Sequence, residues 1–333
     1  MQNQNHMMKA VFCTQYGSPE VLEVRETPLQ TPGKNEVVIQ NYASSITTAD
    51  TFLRRGIPKF SRLFLGLRKP KNPRVGTGFA GVITQLGSDV TNFQPGDKVY
   101  GETSLEFGAN AEYVCVNTQK SILQPLPEQL SFEEAAPLCD GILTSYNFLV
   151  DAGKLQRHQH VLINGAAGAL GIAAVQIAKS LGARVTAVCS AKNAAWVKSL
   201  GADETIDYQK SDFTENLNTY DMIFDAVGKS SYHQSKKALK KAGKYLSPVL
   251  TFPLLLTMMR TSLAGQKKAI FQATGLRKVE ELNRLLKQIH LLIQKGELKI
   301  VVDKTYPLDR IKEAHQYVDS GHKKGNIVLT FHH

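Results

Sequence analysis

The eleven residues from Val161 to Gly171 read Val-Leu-Ile-Asn-Gly-Ala-Ala-Gly-Ala-Leu-Gly, and they are suited to hold an anion. Three apolar residues run into a glycine-rich bend, and Ile172 to Leu181 then has the spacing of an amphipathic helix. A turn of this kind points backbone N–H groups outward, and the positive end of the helix dipole favours negative charge, so the chemistry is phosphate binding. Gly168 lets the backbone approach a pyrophosphate with no Cβ in the way, and Gly171 lets the helix pack close to the strand. Ala167, Ala169 and Leu170 complete the bend. The first glycine of the common G-x-G-x-x-G fingerprint is replaced by Ala166, so the motif takes its meaning from its context.

That context includes the end of the next apolar run, Arg184 to Cys189, which leads into Ser190-Ala191-Lys192-Asn193. A site for NAD places a carboxylate there to accept hydrogen bonds from the ribose 2′-hydroxyl. Here no Asp or Glu occurs between Asp151 and Asp203, whereas Lys154, Arg157, Lys179, Arg184, Lys192 and Lys198 all fall in that interval. A 2′-phosphate carries nearly two negative charges and three acceptor oxygens, which Ser190 and Lys192 would welcome. The expected cofactor is NADPH.

The elements that must position these residues follow from two different grammars. From Lys9 to about Pro127, short alternating apolar runs are separated by turn residues: Lys9 to Cys13, Val21 to Arg25, Glu36 to Tyr42, Gly81 to Leu86, Lys98 to Gly101 and Ala111 to Val116. This spacing predicts a compact, partly open β-barrel. Ser131 and Glu134 then form a capping box, and a second helix is expected from Ile142 to Ala152. Beyond it, strands at 161–164, 184–189, 204–207, 222–226, 244–248 and 269–273 alternate with helices at 172–181, 193–200 and 231–239, which means a parallel sheet covered on both faces. Val279 to Lys295 reads as an amphipathic helix, followed by strand, helix and strand at 301–306, 309–320 and 327–331. The expected division is residues 1–129 with 277–333 as one domain and 130–276 as a sheet domain inserted in it.

Composition sets outer bounds. The 333 residues, 42% hydrophobic and 21% charged, suit two globular domains. The net charge of +11 is spread along the chain; its densest cluster, Lys236, Lys237, Lys240, Lys241 and Lys244, falls on an expected surface helix and its end. It biases the protein toward small anionic ligands, and no nucleic-acid partner is expected. Cys13, Cys115, Cys139 and Cys189 lie too far apart for a disulfide framework or a zinc cluster, which fits a reducing compartment. Met1 to Met8 lacks the apolar core of a signal peptide, and Pro248 to Met259 is too short to span a bilayer, so the cytoplasm and no membrane partner are expected.

With these pieces in place the chain resembles a known family. Asn164 to Gly171, Gln176-Ile177-Ala178-Lys179, Leu181-Gly182-Ala183, Leu200-Gly201-Ala202-Asp203 and Ile206-Asp207-Tyr208 resemble the zinc-independent quinone oxidoreductase branch of the medium-chain dehydrogenase/reductase superfamily. The resemblance continues through Pro95 to Gly101, Ala135-Ala136-Pro137, Leu143-Thr144-Ser145-Tyr146, Asp225-Ala226-Val227-Gly228 and Ser320-Gly321-His322, and so covers nearly all of Lys9 to Phe331. It implies an α/β protein: a GroES-like, partly open β-barrel catalytic domain joined to a doubly wound Rossmann domain, the nicotinamide in the cleft between them, and a homodimer. It implies that Ser190, Lys192 and Tyr208 surround the 2′-phosphate, that Thr144 lies beside the nicotinamide ribose, and that Val227 and Ser247 lie near the nicotinamide. Asn326 stands where relatives often carry a basic residue, with Lys323 and Lys324 as nearby cations.

Zinc enzymes of the superfamily use a cysteine, a histidine and a second cysteine. The resemblance puts Thr47, Thr77 (within Gly76-Thr77-Gly78) and Asp140 at those positions, so no metal is expected. Without a Lewis acid, alcohol oxidation is disfavoured, and the chemistry left is hydride delivery to an electrophilic small molecule such as a quinone or an α,β-unsaturated carbonyl. Tyr42, Thr48, Asp50, Tyr100 and Tyr146 are the candidates to line the cleft. Asp50 has the alternative of capping a helix from Thr51 to Arg55, and the tyrosines that of being core residues. The apolar stretch Phe252 to Met259 is expected to cover the substrate cleft or a dimer contact. Two other readings stay open: an alcohol or aldehyde oxidoreductase, which would need a metal, and a non-catalytic NADPH-binding sensor or crystallin-like protein.

Overall fold

The computed structural model describes residues 7–332. Of the stretch Met1 to Met8, residues 1–6 lie outside the described residues, so the leader reading stays an expectation. The chain packs into two compact units. One is made of the residues up to Asp140 with Lys278–Asn283 and those from Val302 onward; the other comprises Gly141–Arg277 with Arg284–Val301.

In the first unit, Met7–Cys13 and Leu22–Pro28 form an antiparallel hairpin. A seven-stranded sheet runs in the order Val302–Pro307, Asn326–Thr330, Glu36–Ile46, Gly78–Leu86, Lys98–Glu102 and Ile122–Pro125, with Tyr113–Asn117 added beside Glu36–Ile46. The eleven-residue strand Glu36–Ile46 organises it. Its first half pairs with Tyr113–Asn117, its second with Asn326–Thr330, and its other edge with Gly78–Leu86. Register slips after Val38 and around Tyr42 make the change of partner possible, because the extra residue at a bulge bends a strand and sharpens its twist. The alternating run thereby curls around a core that includes Val37, Ile39, Phe79, Ile83, Val99, Val114 and Val116.

In the second unit, six strands lie parallel in the order Glu204–Asp207, Arg184–Cys189, His160–Asn164, Tyr220–Asp225, Leu239–Leu246 and Lys268–Ile270. The chain enters the sheet at His160–Asn164, winds to one edge, then crosses to Tyr220–Asp225 and winds to the other. The reversal between those two strands is the switch point of a doubly wound sheet, beyond whose carboxyl ends ligands bind. Residues 160–163 are buried, as in a strand covered on both faces.

The structure corrects two local expectations and defines the form of a third stretch. The helix read over Ser231 to Leu239 is one turn, Tyr232–Ser235, and Lys240, Lys241 and Lys244 stand on the strand Leu239–Leu246. Pairing of Leu246 with Phe224 and Ile270 overrides the local pattern. Polar partners accommodate the lysines: Lys240 Nζ lies 2.8 Å from Asp221 Oδ2, and Lys244 Nζ donates to the Gly153 carbonyl at 2.6 Å. The helix expected from Ile142 to Ala152 is a short α-turn, Leu143–Tyr146, flanked by the wider π-helical turns Leu138–Ile142 and Asn147–Ala152. The stretch Phe252 to Met259 is part of a regular helix, Phe252–Leu263, capped by Thr251, with Phe252, Leu255, Leu256, Met259 and Leu263 exposed.

Candidate functional site

The turn after His160–Asn164 is shaped by two close approaches. Gly165 has φ +80°, and a Cβ there would lie 2.0 Å from Val227 Cγ2; a Cβ on Gly171 would lie 2.2 Å from the Gly165 carbonyl oxygen and 2.6 Å from Ala166 Cα. Gly165 falls within the glycine-rich bend expected from the sequence, where an Asn-Gly pair after an apolar run is a turn signal. Gly168 is the residue before the helix Ala169–Ser180, and the space around its absent Cβ is open, the nearest atom being the Gly165 carbonyl oxygen at 3.5 Å. This helix has no side-chain cap and no acidic residue in its first turn. The N–H groups of Ala169, Leu170 and Gly171 therefore have no intrahelical acceptor and remain available to an anion beside half-buried Ala167. Ser145 Oγ donates to the Leu170 carbonyl at 2.8 Å and steadies the turn from the adjoining helix.

The neighbouring strand repeats the arrangement. Ser190 precedes the helix Ala191–Ser199, again with no side-chain cap. Parallel register sets Cys189 against Asp207, so Ser190 and Tyr208 follow adjacent strand ends. Lys192 is exposed on the first helical turn, with no ion pair among the described residues, and Tyr208 is 60% exposed. The Asp207 carboxylate accepts the Gln209 N–H at 3.1 Å and so closes its own turn. Ser190, Lys192 and Tyr208 thus share one edge of the sheet.

Across the switch point the organiser is Asp225, which the sequence reading quoted only as part of a motif. Its fully buried carboxylate accepts from Asn164 Nδ2, from the N–H groups of Val227, Gly228 and Ser230, from Ser230 Oγ and from the Tyr245 hydroxyl, at 2.9–3.3 Å. These bonds fix the loop that carries Val227, which is 42% exposed. Ser247 is buried and accepts the Val249 N–H at 3.3 Å. A cavity of about 160 Å³ lies beside them, lined by Gly228, Tyr232, Ser247, Thr251 and Leu254 among others. Thr144 is half-buried on the Leu143–Tyr146 turn, and Tyr146 is almost wholly buried, with its hydroxyl pushed up by that burial.

The first unit gathers a different set. Thr47 and Asp50 form a capping box on the helix Thr48–Arg55, Asp50 Oδ2 accepting the Thr47 N–H at 2.7 Å and the Thr47 hydroxyl at 2.6 Å. Asp50 therefore does cap this helix, which begins at Thr48, three residues earlier than expected, because Thr47 supplies the first cap bond. Ser45 Oγ donates to Asp140 Oδ2, and Thr77 Oγ1 lies 3.5 Å from Asp140 Oδ1. Burial, reinforced by Asp50, pushes the Asp140 carboxyl up to about 7. Burial and then Asp140 hold Glu102 well above the usual carboxylate range, and burial raises Asp50 too. Half-buried Lys323 is pulled down to about 8 by desolvation, against the attraction of Asp140, Asp50 and Asp303. The place of Glu102 and Lys323 in this cluster was missed from the sequence; Glu102 carries no spacing signal, while Lys323 was noted only as a cation near Asn326. Of the remaining candidates, Tyr100 is fully buried, Tyr42 is half-buried and stacks on Phe132 at 4.7 Å, and Thr48 is exposed. Asn326 is buried at the start of the strand Asn326–Thr330, and the Lys324 N–H donates to Asp303.

Comparison with known proteins agrees with both halves of this picture. Residues 33–128 match the family model for the alcohol dehydrogenase GroES-like domain, and residues 200–329 match that for zinc-binding dehydrogenases. A chloroplastic quinone oxidoreductase of Triphysaria versicolor is 33% identical, the match covering 97% of this chain and 98% of that protein. The chain belongs to the medium-chain dehydrogenase/reductase superfamily. Its place is in the quinone oxidoreductase-like branch, and its α/β fold combines a GroES-like domain with a Rossmann-type parallel sheet. Among solved structures, the quinone oxidoreductase of Coxiella burnetii superposes with a TM-score of 0.84 at 30% identity, covering 98% of this chain and 100% of that one. The Escherichia coli quinone oxidoreductase in complex with NADPH does so with a TM-score of 0.84 at 26% identity, covering 97% and 100%. The chain is thus an oxidoreductase of the medium-chain type that uses a nicotinamide cofactor and a small-molecule substrate.

Zinc, which the second family description implies, does not fit this member. At the positions that the resemblance gives to the ligands stand Thr47, Thr77 and Asp140, two hydroxyls and one carboxyl in place of thiolate and imidazole donors. No group of three His, Cys, Asp or Glu side chains suited to a metal ion occurs among the described residues. Among those residues, too, no helix is long and apolar enough to cross a membrane.

Proposed function

We propose that this medium-chain reductase takes NADPH and reduces quinones or α,β-unsaturated carbonyls without a zinc ion. The observation that carries the reading is the second uncapped helix start, at Ser190, with Lys192 beside it and no carboxylate at the end of the strand Arg184–Cys189. A bound 2′-phosphate would meet a serine hydroxyl, backbone donors, the Lys192 ammonium and the Tyr208 ring, and the bare ribose of NADH would leave them unused. Ala167 to Gly171 would hold the pyrophosphate, and Thr144, Val227 and Ser247 the nicotinamide half. When bound, the cofactor supplies the hydride.

The chain's own residues then have separable tasks. Tyr42 and Thr48, which keep accessible surface, are assigned to hydrogen-bond the acceptor oxygen as negative charge develops on it. Asp50 fixes the first turn that carries Thr48, and Tyr100 is fully buried on the strand Lys98–Glu102; these two are assigned to act by position. Asp140, pushed up to about 7, holds or releases a proton near neutrality. The hydroxyl-rich residues at the zinc positions supply no Lewis acid for alcohol oxidation, which favours acceptors that are already electrophilic. The exposed apolar face of the helix Phe252–Leu263 is assigned to a homodimer contact.

The test is a panel of quinones and enones assayed with NADPH and with NADH. Consumption of NADPH well above that of NADH with at least one acceptor class is expected. Tight NADPH binding without turnover on any acceptor would replace this reading with a cofactor-binding role, and alcohol oxidation that requires added zinc would restore the metal-dependent one.

A further inference from the structure

The excursion between the helix Thr48–Arg55 and the strand Gly78–Leu86 places large apolar side chains in water. Phe60 is 47% exposed, Leu63 65%, Phe64 76% and Leu67 67%. The structure fixes the base from which they project. Arg62 donates to the carbonyls of Gly56 and Arg55, its guanidinium lies 4.5 Å from the centre of the Tyr16 ring, and the Tyr16 hydroxyl donates to the Gly66 carbonyl at 2.8 Å. The Lys71 N–H closes the loop on the Leu65 carbonyl at 2.7 Å. Apolar tips held out on a pinned base are a presented surface, because a loop free to collapse would bury them.

The charge around these tips has one sign. No Asp or Glu occurs between Asp50 and Asp89, while Arg54, Arg55, Lys59, Arg62, Arg68, Lys69, Lys71 and Arg74 all fall there. Arg54 is buried on Asp319 and Arg62 is spent on the base, but Lys59, Arg68, Lys69 and Lys71 are exposed and have no ion pair among the described residues. Glu106 borders the base, its backbone carbonyl accepting from Asn72 Nδ2.

We propose that this excursion docks the protein on an anionic lipid bilayer, with Leu63, Phe64 and Leu67 entering the headgroup region and Lys59, Arg68, Lys69 and Lys71 resting on acidic lipid. A wedge of three or four apolar side chains ringed by cations suits an interface with an apolar interior and a negative surface. It is small for a protein partner, whose interface needs about 800 Å² a side. The sequence reading expected no membrane partner because no segment can span one; resting on a surface requires only this patch. The inference does not depend on the reductase reading, since docking is measured with neither cofactor nor acceptor present.

The experiment is vesicle flotation of the full chain, with phosphatidylcholine vesicles that contain or lack phosphatidylglycerol, at low and raised salt. The expected result is binding to the acidic vesicles only, weakened by salt. Leu63→Ser with Phe64→Ser, and separately Lys69→Glu with Lys71→Glu, should each reduce the bound fraction about tenfold or more with unchanged thermal unfolding. Should the apolar pair misfold, the charge pair still decides. No binding, or equal binding by the variants, overturns the proposal. So does a vesicle-free effect of the same variants on acceptor KM or on self-association without loss of flotation, which would give the patch to the substrate or to a second copy.

Discussion

Helices that start after Thr47, Ser131, Ser231 and Thr251 are closed by the hydroxyl of the residue before them, whereas those after Gly168 and Ser190 are not. Gly168 and Ser190 sit side by side at the carboxyl edge of the parallel sheet, where a pyrophosphate and a 2′-phosphate would lie. Around Asp140 the rule is reversed: Ser45 and Thr77 direct their hydroxyls to it, Thr47 and Asp50 satisfy each other, and burial, then Asp140, push the Glu102 carboxyl well above the usual carboxylate range. A site for a large anion is marked by donors the protein leaves unspent. A site that stores protons is marked by carboxyls whose ionisation burial makes costly.

If the first site depends on backbone geometry, the largest effect belongs to a glycine. Gly171→Val would force a side chain to within 2.2 Å of the Gly165 carbonyl oxygen, so helix and turn must separate. The expected cost is about 3 kcal/mol or more, with nicotinamide cofactor binding lost. Thermal unfolding and cofactor titration read it, and a variant that melts and binds like the parent would break the comparison. Asp225→Ala comes next, because it leaves several buried donors without an acceptor. We expect about 2–4 kcal/mol of destabilisation and a raised KM for the cofactor. The matching change in the other region, Asp50→Ala, removes one half of a capping box and is expected to cost only about 1 kcal/mol.

Much of this was legible in the sequence, for identifiable reasons. The strand Arg184–Cys189 and the lack of a carboxylate after it are local features of the sequence, whereas the helix start at Ala191, two residues before the expected one, and the uncapped Ser190 before it emerge only in the fold. The capping box at Ser131 and Glu134 is local too and is found as read. The strand Leu239–Leu246 was expected only from Lys244, with helix up to Leu239, because its pairing comes from neighbours remote in sequence, among them Phe224 and Ile270. The same holds for the proton-holding cluster. Asp50, Glu102, Asp140 and Lys323 are separated by tens to hundreds of residues, and only the curl of the strand Glu36–Ile46 and the return of Asn326–Thr330 beside it bring their surroundings together. Asp225 was visible as a residue, but its six bonds arise from a loop conformation that no pattern encodes.

Smaller effects separate the two regions by cofactor and by pH. Lys192→Glu places a carboxylate where a 2′-phosphate would bind, so the NADPH-to-NADH affinity ratio should fall about 10–100-fold while NADH binding is kept. An unchanged ratio would remove Lys192 from the site. Asp140→Asn should leave that ratio alone and change instead how stability varies with pH. In the fold the Asp140 carboxyl is pushed up to about 7 from an ordinary value of 3.8. Between those values the folded chain holds a proton that the unfolded chain has released. Its contribution is therefore full below the ordinary value and lost as pH rises through about 7, a change on the order of 1–2 kcal/mol for a half-buried group. His315 in the same unit works in the opposite sense: burial pulls it down to about 3, so it stays neutral in the fold while the unfolded chain takes up a proton. Its effect makes stability grow as pH rises toward the ordinary histidine value. The parent's melting temperature sums falling and rising slopes across this window, and Asp140→Asn removes the Asp140 share of the falling ones, to which Glu102 and Asp50 also contribute. The variant's melting temperature should climb more steeply with pH than the parent's; parallel curves would show that Asp140 is ionised in the fold and that the cluster stores no proton there.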